Sequence, residues 1–348
     1  MPGPCLTCPG RPGTKSVLPG IIHPRAWLVA VAVIIGASHA PQGLGAQARP
    51  SGGAALETIQ VRPHVYVIFG AGGNVVMHVG EDGVILVDSG SAAMADQVIA
   101  EIRKVTAEPI RVIINTSADA DHVGGTERIA GEGSTLNPNA FNAGAQNAAV
   151  IAHENVLNRM SAPTGQQSPF PVGAWPTDTY IARTKSMYLN DEGIQVIYQP
   201  NAHSDGDSIV MFRRADVIAT GDIFDLRHFP VIDAAAGGSI QGELDALNRL
   251  LEMAIPAMPL IHKPGRTFLV PGHGRIADHA DLVEYRDMVT VIRDVIKSMA
   301  DKGLTLEQVK AANPTRGYRT RYGSDTGPWT TDMFVEAVYN ELRPVKKS

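Results

Sequence analysis

The sequence predicts an α/β (α+β) chain built as two β-rich halves that each carry helices. Two observations predict it. Short runs of β-branched and other apolar residues recur between Gly-rich turns, as strands do. Between several of them lie stretches whose apolar residues return at the 3.6-residue spacing of a helix face. The length allows it: 348 residues, 44% hydrophobic and 19% charged, suffice for one large domain or two moderate ones around a buried core.

The first 48 residues stand apart. Their ordinary charges are Arg11, Lys15 and Arg25, all basic, ahead of the apolar run AWLVAVAVIIGASHA at 26–40. That run is shorter than the roughly 20 residues of a membrane span. Ala46-Gln47-Ala48 then fits an A-x-A cleavage site. The pattern predicts a secretory signal peptide and leader over 1–48 and an exported product, periplasmic or secreted. An uncleaved N-terminal anchor is the alternative. The short run and the A-x-A site favour cleavage, and with it no stable membrane association. Cys5 and Cys8, the two cysteines of the chain, leave with the leader. Any metal must then take His, Asp, Glu or weaker oxygen ligands. The three basic residues leave too, so a chain with a formal net charge of −5 becomes more acidic. That argues against nucleic acid or an anionic membrane as partner, and for a small-molecule substrate.

Residues 49–56, rich in Pro, Gly, Ser and Ala, read as a flexible linker. HVYVIFG (64–70), NVVMHVG (74–80) and GVILVDSG (83–90) read as an antiparallel meander. Residues 92–105 place Met94, Val98, Ile99, Ile102 and Val105 on one helix face. IRVIIN (110–115) is an apolar strand leading into NTSADADHVGG (115–125). This β-α-β order puts the polar segment at the C-terminal end of a strand, where α/β proteins build their sites.

Residues 131–148, rich in Gly, Asn and Ala, read as a surface insertion, and 149–160 as strand then helix. The Pro-rich stretch 169–180 is a loop long enough to overhang a site. Strands return at 194–199, 208–213 and 216–220, followed by an amphipathic helix at 239–254 and a strand at 267–274. A long helix spans 280–303, with Gly303 as its C-terminal stop. Helical segments near 305–312 and 330–342 close the chain. The expected organisation is a main domain over 57–303 and a C-terminal helical extension over 304–348 packed on it.

Polar residues cluster just after five of these apolar strands. They are Asp88, the group Ser117, Asp119, Asp121 and His122, then His203, Asp222 and His273. What they share is the capacity to bind a borderline divalent metal through imidazole and carboxylate. For Asp121 and His122 the alternative is an N-cap and a surface histidine on a helix starting near Val123. Asp88, between a strand and Gly90, reads as a structural carboxylate that orients its neighbours.

With these residues in view, the sequence resembles metallo-β-lactamase-fold hydrolases over about residues 57–300. Their usual motif is His-x-His-x-Asp-His, then a distant His, an Asp and a last His. Here the first element reads Ser117-x-Asp119-x-Asp121-His122, followed by Gly124-Gly125. The later ligands match His203 in HSDGD, Asp222 in TGD and His273 in PGHG. FPVID (229–233) and GGS (237–239) resemble an exported branch of that superfamily.

The resemblance implies a four-layer αββα sandwich of two βα halves with two adjacent metal positions. One would use Asp121, His122 and His273, with Asp222 bridging. The other would use residues 117 and 119 with His203, and there Ser117 and Asp119 replace histidines. Zinc, one ion or two, is the implied metal, with iron or manganese as alternatives. Asp119 is the ambiguous ligand, and Ser117 a poor one. The implied activity is hydrolysis of an ester, lactone, lactam or thioester-like small substrate by a metal-activated water, possible with a single ion. Asp121, Asp119 and His203 would have catalytic roles.

Two rivals remain open: a non-catalytic binding protein on the same fold, and an iron-dependent oxidoreductase. His153 is a candidate accessory residue. Trp175 and Tyr180 either line a pocket or pack their loop. His64, His78, His228, His262 and His279 read as surface or structural.

Overall fold

The computed structural model describes residues 55–136, 147–162, 166–257 and 265–343. Strands β1 (Glu57–Arg62), β2 (Val65–Ala71), β3 (Gly73–Gly80) and β4 (Gly83–Val87) form an antiparallel meander. Helix α1 (Ala95–Val105), entered through a 3-10 turn, crosses over to β5 (Ile110–Ile114), which lies parallel to β4. Strands β6 (Ala149–His153) and β7 (Asp178–Tyr180) extend this sheet in parallel to seven strands. The second sheet holds β8 (Thr184–Leu189), β9 (Glu192–Tyr198), β10 (Ser208–Phe212), β11 (Val217–Asp225) and β12 (Phe268–His273). Its spatial order is β12-β11-β10-β9-β8, antiparallel except for the β11–β12 pair. The remaining helices are α2 (Ala120–Val123), α3 (Thr126–Ala130), α4 (Glu154–Met160), α5 (Ile240–Met253), α6 (His279–Asp301), α7 (Leu306–Ala312), α8 (Arg319–Tyr322) and α9 (Thr331–Leu342).

Side-chain alternation along the strands builds the layers. Val65, Val67, Val76, Ile85, Val87, Val112 and Ile114 pack against Ile194, Val196, Val210, Phe212 and Val217 between the sheets. The alternate residues Ile68, Met77, Val84, Leu86 and Ile113 face outward against Val98 and Ile102 of α1 and Ile129 of α3. Ile209, Ile218 and Leu269 face the other way, against Leu244 and Leu247 of α5 and Met288 and Ile292 of α6. The result is the expected four-layer αββα sandwich. Both faces of the central strands are covered, which is why they read as continuous apolar runs. Each fully buried Ile, Leu or Val contributes roughly 1.5–3 kcal/mol relative to an exposed one.

Helix α9 packs on this frame. Phe334 stacks on Phe229 with ring centroids 5.0 Å apart, and the Trp329 indole donates to the Pro230 carbonyl at 3.1 Å. The Glu341 carboxylate accepts from the backbone N–H of Ile240 (2.6 Å) and Gln241 (3.2 Å). Those amides belong to the first turn of α5 and have no intrahelical acceptor, so the acid supplies one from the far end of the chain.

Several expectations are corrected. β1 and β8 were not expected as strands. Their sequences, ETIQVR and TKSMYL, are polar and largely exposed because both strands are sheet edges. The 169–180 stretch is not all loop: it holds a 3-10 turn at Val172–Ala174 and ends in β7. Asp222 lies inside β11 and not after it. Of the 131–148 insertion, residues 137–146 lie outside the described residues, as does His262. Among the described residues no helix is long and apolar enough to cross a membrane.

Candidate metal centre

Asp88 leaves the end of β4 with φ +63°, the left-handed conformation that Asp and Asn tolerate best after Gly. This turns its buried carboxylate toward the segment after β5. Oδ1 accepts the Thr116 backbone N–H at 2.8 Å. Oδ2 accepts the Thr116 hydroxyl and the Nδ1–H of His122, both at 2.7 Å. The His122 carbonyl in turn accepts from the N–H (2.7 Å) and hydroxyl (2.9 Å) of Ser89. Two glycines let these segments touch. A Cβ on Gly124 would lie 2.6 Å from the Ala92 nitrogen, and one on Gly125 would lie 2.4 Å from the Ser89 carbonyl oxygen.

His122 is completely buried. The alternative of a surface histidine is therefore overturned. The helix itself is α2, beginning at Ala120 with Asp119, not Asp121, at the N-cap position. Because Nδ1–H is committed to Asp88, the tautomer is set and Nε2 faces inward, 3.0 Å from Asp222 Oδ1. His203 follows the same logic. Its Nδ1–H donates to the Val231 carbonyl at 2.8 Å, and Nε2 lies 2.8 Å from Asp119 Oδ2. His273, the last residue of β12, places Nε2 3.1 Å from Asp121 Oδ2 and 3.4 Å from Asp222 Oδ1.

Six predicted ligands thus come together in two groups whose donor atoms lie within 4.8 Å of one another: Asp121, His122 and His273, and Asp119, His203 and Asp222. Asp222 also contacts both imidazoles of the other group. The donor chemistry fits a divalent ion. Imidazole nitrogens, those of His122 and His203 oriented through Nδ1, converge with carboxylates, as zinc prefers, and the second group is oxygen-rich enough for iron or manganese. Ser117 joins neither group. It is buried, and its hydroxyl accepts the backbone N–H of Asp119 at 3.2 Å, closing the turn.

The pairing is reflected in proton affinity. Burial pushes the His122 imidazole down, but Asp222 and Asp88 outweigh it and hold its pKa well above the usual value. For His203 the same contest is won by Asp119, with Asp207 and Asp222 behind it. Burial would raise Asp222, yet His122, His203 and His273 pull its pKa far below the ordinary carboxylate range. The hydrogen bond from His273 lowers Asp121 against the opposing effect of burial.

Two buried acids near this site were not singled out in the sequence. Asp207 accepts the N–H (2.6 Å) and hydroxyl (2.9 Å) of Ser204, and burial pushes its pKa up to about 7. Glu243 of α5 is fully buried, and neither oxygen has a hydrogen-bond partner. Burial first, then Asp207, holds its pKa well above the usual value. A signal existed: Glu243 lies on the apolar stripe of its helix with Ile240, Leu244 and Leu247.

The other candidates serve packing. The His153 ring stacks on Tyr198 at 3.7 Å, and its Nδ1 accepts the Asn155 N–H at the start of α4. The Tyr180 hydroxyl is 2.6 Å from that of Ser208, and Trp175 donates to the Phe170 carbonyl. His78 is buried against Phe212, while His64 is exposed, and His228 pairs with Asp225. His279 is the first residue of α6.

Residues 69–136 match the model of a family described as the metallo-beta-lactamase superfamily. No curated protein matches the chain. Among solved structures, a double mutant of the sec-alkylsulfatase PisA1 aligns with TM-score 0.59 and 15% identity, over 82% of this chain and 50% of that one. The stereoselective inverting sec-alkylsulfatase Pisa1 from Pseudomonas sp. aligns with TM-score 0.57 and 16% identity over the same shares, 82% and 50%. A metallo-beta-lactamase from Pontibacter korlensis aligns with TM-score 0.51 and 16% identity, over 68% of this chain and 99% of that one. At these identities the likeness is one of fold, and the chain spans half the length of the sec-alkylsulfatase chains.

Proposed function

Because the chain is a metallo-β-lactamase-fold protein, we propose that it is an exported metal-dependent hydrolase of a small ester, lactone, lactam or thioester. The observation that carries this reading is the convergence of Asp121, His122 and His273 with Asp222 beside them, the donor set of one complete metal position. Asp121, His122 and His273 would hold a divalent ion there, which would supply a bound water of pKa about 7 and polarise a carbonyl oxygen.

The protein's own groups do the rest. Asp88 keeps a proton of His122 on Nδ1, so that Nε2 is the nitrogen that would give up its proton to a bound ion. Asp222, a member of the second group, ties it to the first: its Oδ1 lies 3.0 Å from His122 Nε2 and 3.4 Å from His273 Nε2. Asp119 is the carboxylate placed to accept a proton from an attacking water. Its side chain is 42% exposed, which gives that proton a route to solvent, while His203 Nε2 fixes its orientation. Asp121 completes the ligand set and is oriented by His273. The acidic net charge favours a small substrate over nucleic acid. The leader at 1–48 is what supports export.

The test is metal content by elemental analysis of the purified protein and of His273→Ala, alongside turnover of an ester, a lactone, a β-lactam, a thioester and, given the sec-alkylsulfatase fold neighbours, an alkyl sulfate. About one zinc per chain, lost in the variant together with hydrolysis, is the expected result. Two irons would favour the redox reading. Metal without turnover of any substrate would favour a binding protein. A metal-free wild type under every supply condition would overturn the proposal.

A further inference from the structure

The three histidines of the centre are not held alike. His122 anchors Nδ1 on Asp88, and His203 anchors Nδ1 on the Val231 carbonyl. Among the described residues, His273 has no partner for Nδ1. Its imidazole contacts run through Nε2 to Asp121 and Asp222 and through an edge-to-face approach to His122, ring centroids 5.4 Å apart at 89°. For a ligand without a second anchor, the position of the ring is set by its Nε2 contacts and by where the backbone places its Cα.

That backbone is clamped from the other half of the molecule. The Asn74 side chain, buried at the start of β3, donates one amide proton to the Pro271 carbonyl at 2.9 Å and the other to the Gly274 carbonyl at 3.0 Å. The two acceptors bracket Gly272-His273. The amide orientation follows from chemistry: two carbonyl acceptors demand the NH2 and would repel the oxygen. The residue before it is as constrained. A Cβ on Gly73 would lie 3.0 Å from His122 Cε1 and 3.1 Å from its Nε2. Two consecutive residues of β3 therefore touch His122 of the N-terminal half and the His273 loop of the C-terminal half.

We propose that Gly73 and Asn74 form a metal-independent gauge that sets His273 against His122: Gly73 by letting the His122 imidazole rest on the strand, Asn74 by holding both sides of the His273 turn. Asn74 is a positioning residue, and its effect on ion binding rests on the metal reading above. The gauge itself exists in the polypeptide alone.

Asn74→Asp tests it, because it keeps the size and removes both donors. Imidazole resonances are followed by long-range 1H–15N NMR, assigned with His273→Ala and His203→Ala, first without metal and then during zinc titration. Without metal, the His273 resonances should shift or broaden while those of His203 stay in place. In the titration, the zinc needed to move His122 and His273 should rise about 10–100-fold, the range for losing an outer partner of a metal ligand, with the His203 response unchanged. Unaltered His273 resonances and zinc midpoint would overturn the proposal. So would an equal change at His203, which would mean general loosening. If the aspartate variant does not fold, Asn74→Ala, which removes both donors without adding a charge, should shift the same His273 resonances with His203 in place, and no shift would count against the gauge. A wild type that takes up no zinc would overturn the hydrolase reading, while the metal-free spectra would still decide the role of Asn74.

Discussion

Replacing Asp88 by asparagine isolates the control of one proton. Asparagine keeps the shape and tolerates the left-handed backbone at φ +63°. Its remaining oxygen can still accept from the Thr116 N–H, in the place of Oδ1. The NH2 then replaces Oδ2, the atom that accepts from both the Thr116 hydroxyl and His122 Nδ1. The hydroxyl can rotate and become an acceptor. The Nδ1 proton of His122 then faces a donor, so the imidazole favours losing that proton and keeping the one on Nε2, the nitrogen that faces Asp222 and the metal group. The lone pair needed for a metal bond is then occupied. Loss of such an outer partner lowers metal affinity by about 10–100-fold, or roughly 1.4–2.8 kcal/mol. The metal-free protein also loses a hydrogen bond between charged groups, costing about 1.5–3 kcal/mol. Zinc affinity by chelator competition, urea unfolding without metal and the 15N shifts of His122 together measure these effects. Wild-type affinity with the proton still on Nδ1 would refute the reasoning.

Three further outcomes follow from the site and the buried acids beside it. Restoring histidine at both altered positions, Ser117→His with Asp119→His, should raise zinc content toward two per chain. An unchanged count would mean that this position is blocked by something other than its ligands. Asp207 is raised from 3.8 to about 7, so the fold keeps a proton that the unfolded chain releases above about pH 4. Stability of the metal-free protein should then fall as pH rises from about 4 to about 7, and Glu243, also raised, acts in the same direction. In urea unfolding, Glu243→Gln should therefore gain on wild type between about pH 5 and pH 8; a constant difference would show that Glu243 does not hold its proton.

The sequence made the middle of the structure legible and its edges obscure. β5 and the DHVGG turn stand out because a doubly covered strand is apolar throughout and a polar cluster at its end is conspicuous. β1 and β8 do not, since an edge strand with one wet face carries Thr, Gln, Lys and Arg. Asp222 looked like the residue after a strand because TGD breaks the apolar run, although the ladder continues to Asp225. In the centre, the ligand set came with the family resemblance of the DHVGG, HSDGD, TGD and PGHG segments, but the partners that orient the ligands did not. Asn74 meets residues about 200 positions away, a contact that exists only once two sheets face each other. Glu243 was hidden by its helix, where one acid among leucines reads as an imperfect stripe. Ser117 shows the reverse case: a residue that resembles a lost ligand, while its hydroxyl closes the turn that presents Asp119.

The capping of α5 by Glu341 has a consequence in time. The backbone N–H of Ser239, just ahead of that helix, donates to the carbonyls of Asn201 and Ala202, next to His203. The last helix of the chain thus braces, through the first turn of α5, the segment hydrogen-bonded beside His203. During synthesis the donors emerge from residue 119 to residue 273, yet the brace arrives at residue 341. The contact that braces the first turn of α5 is thus the last of this wall to be synthesised, after every donor of the centre.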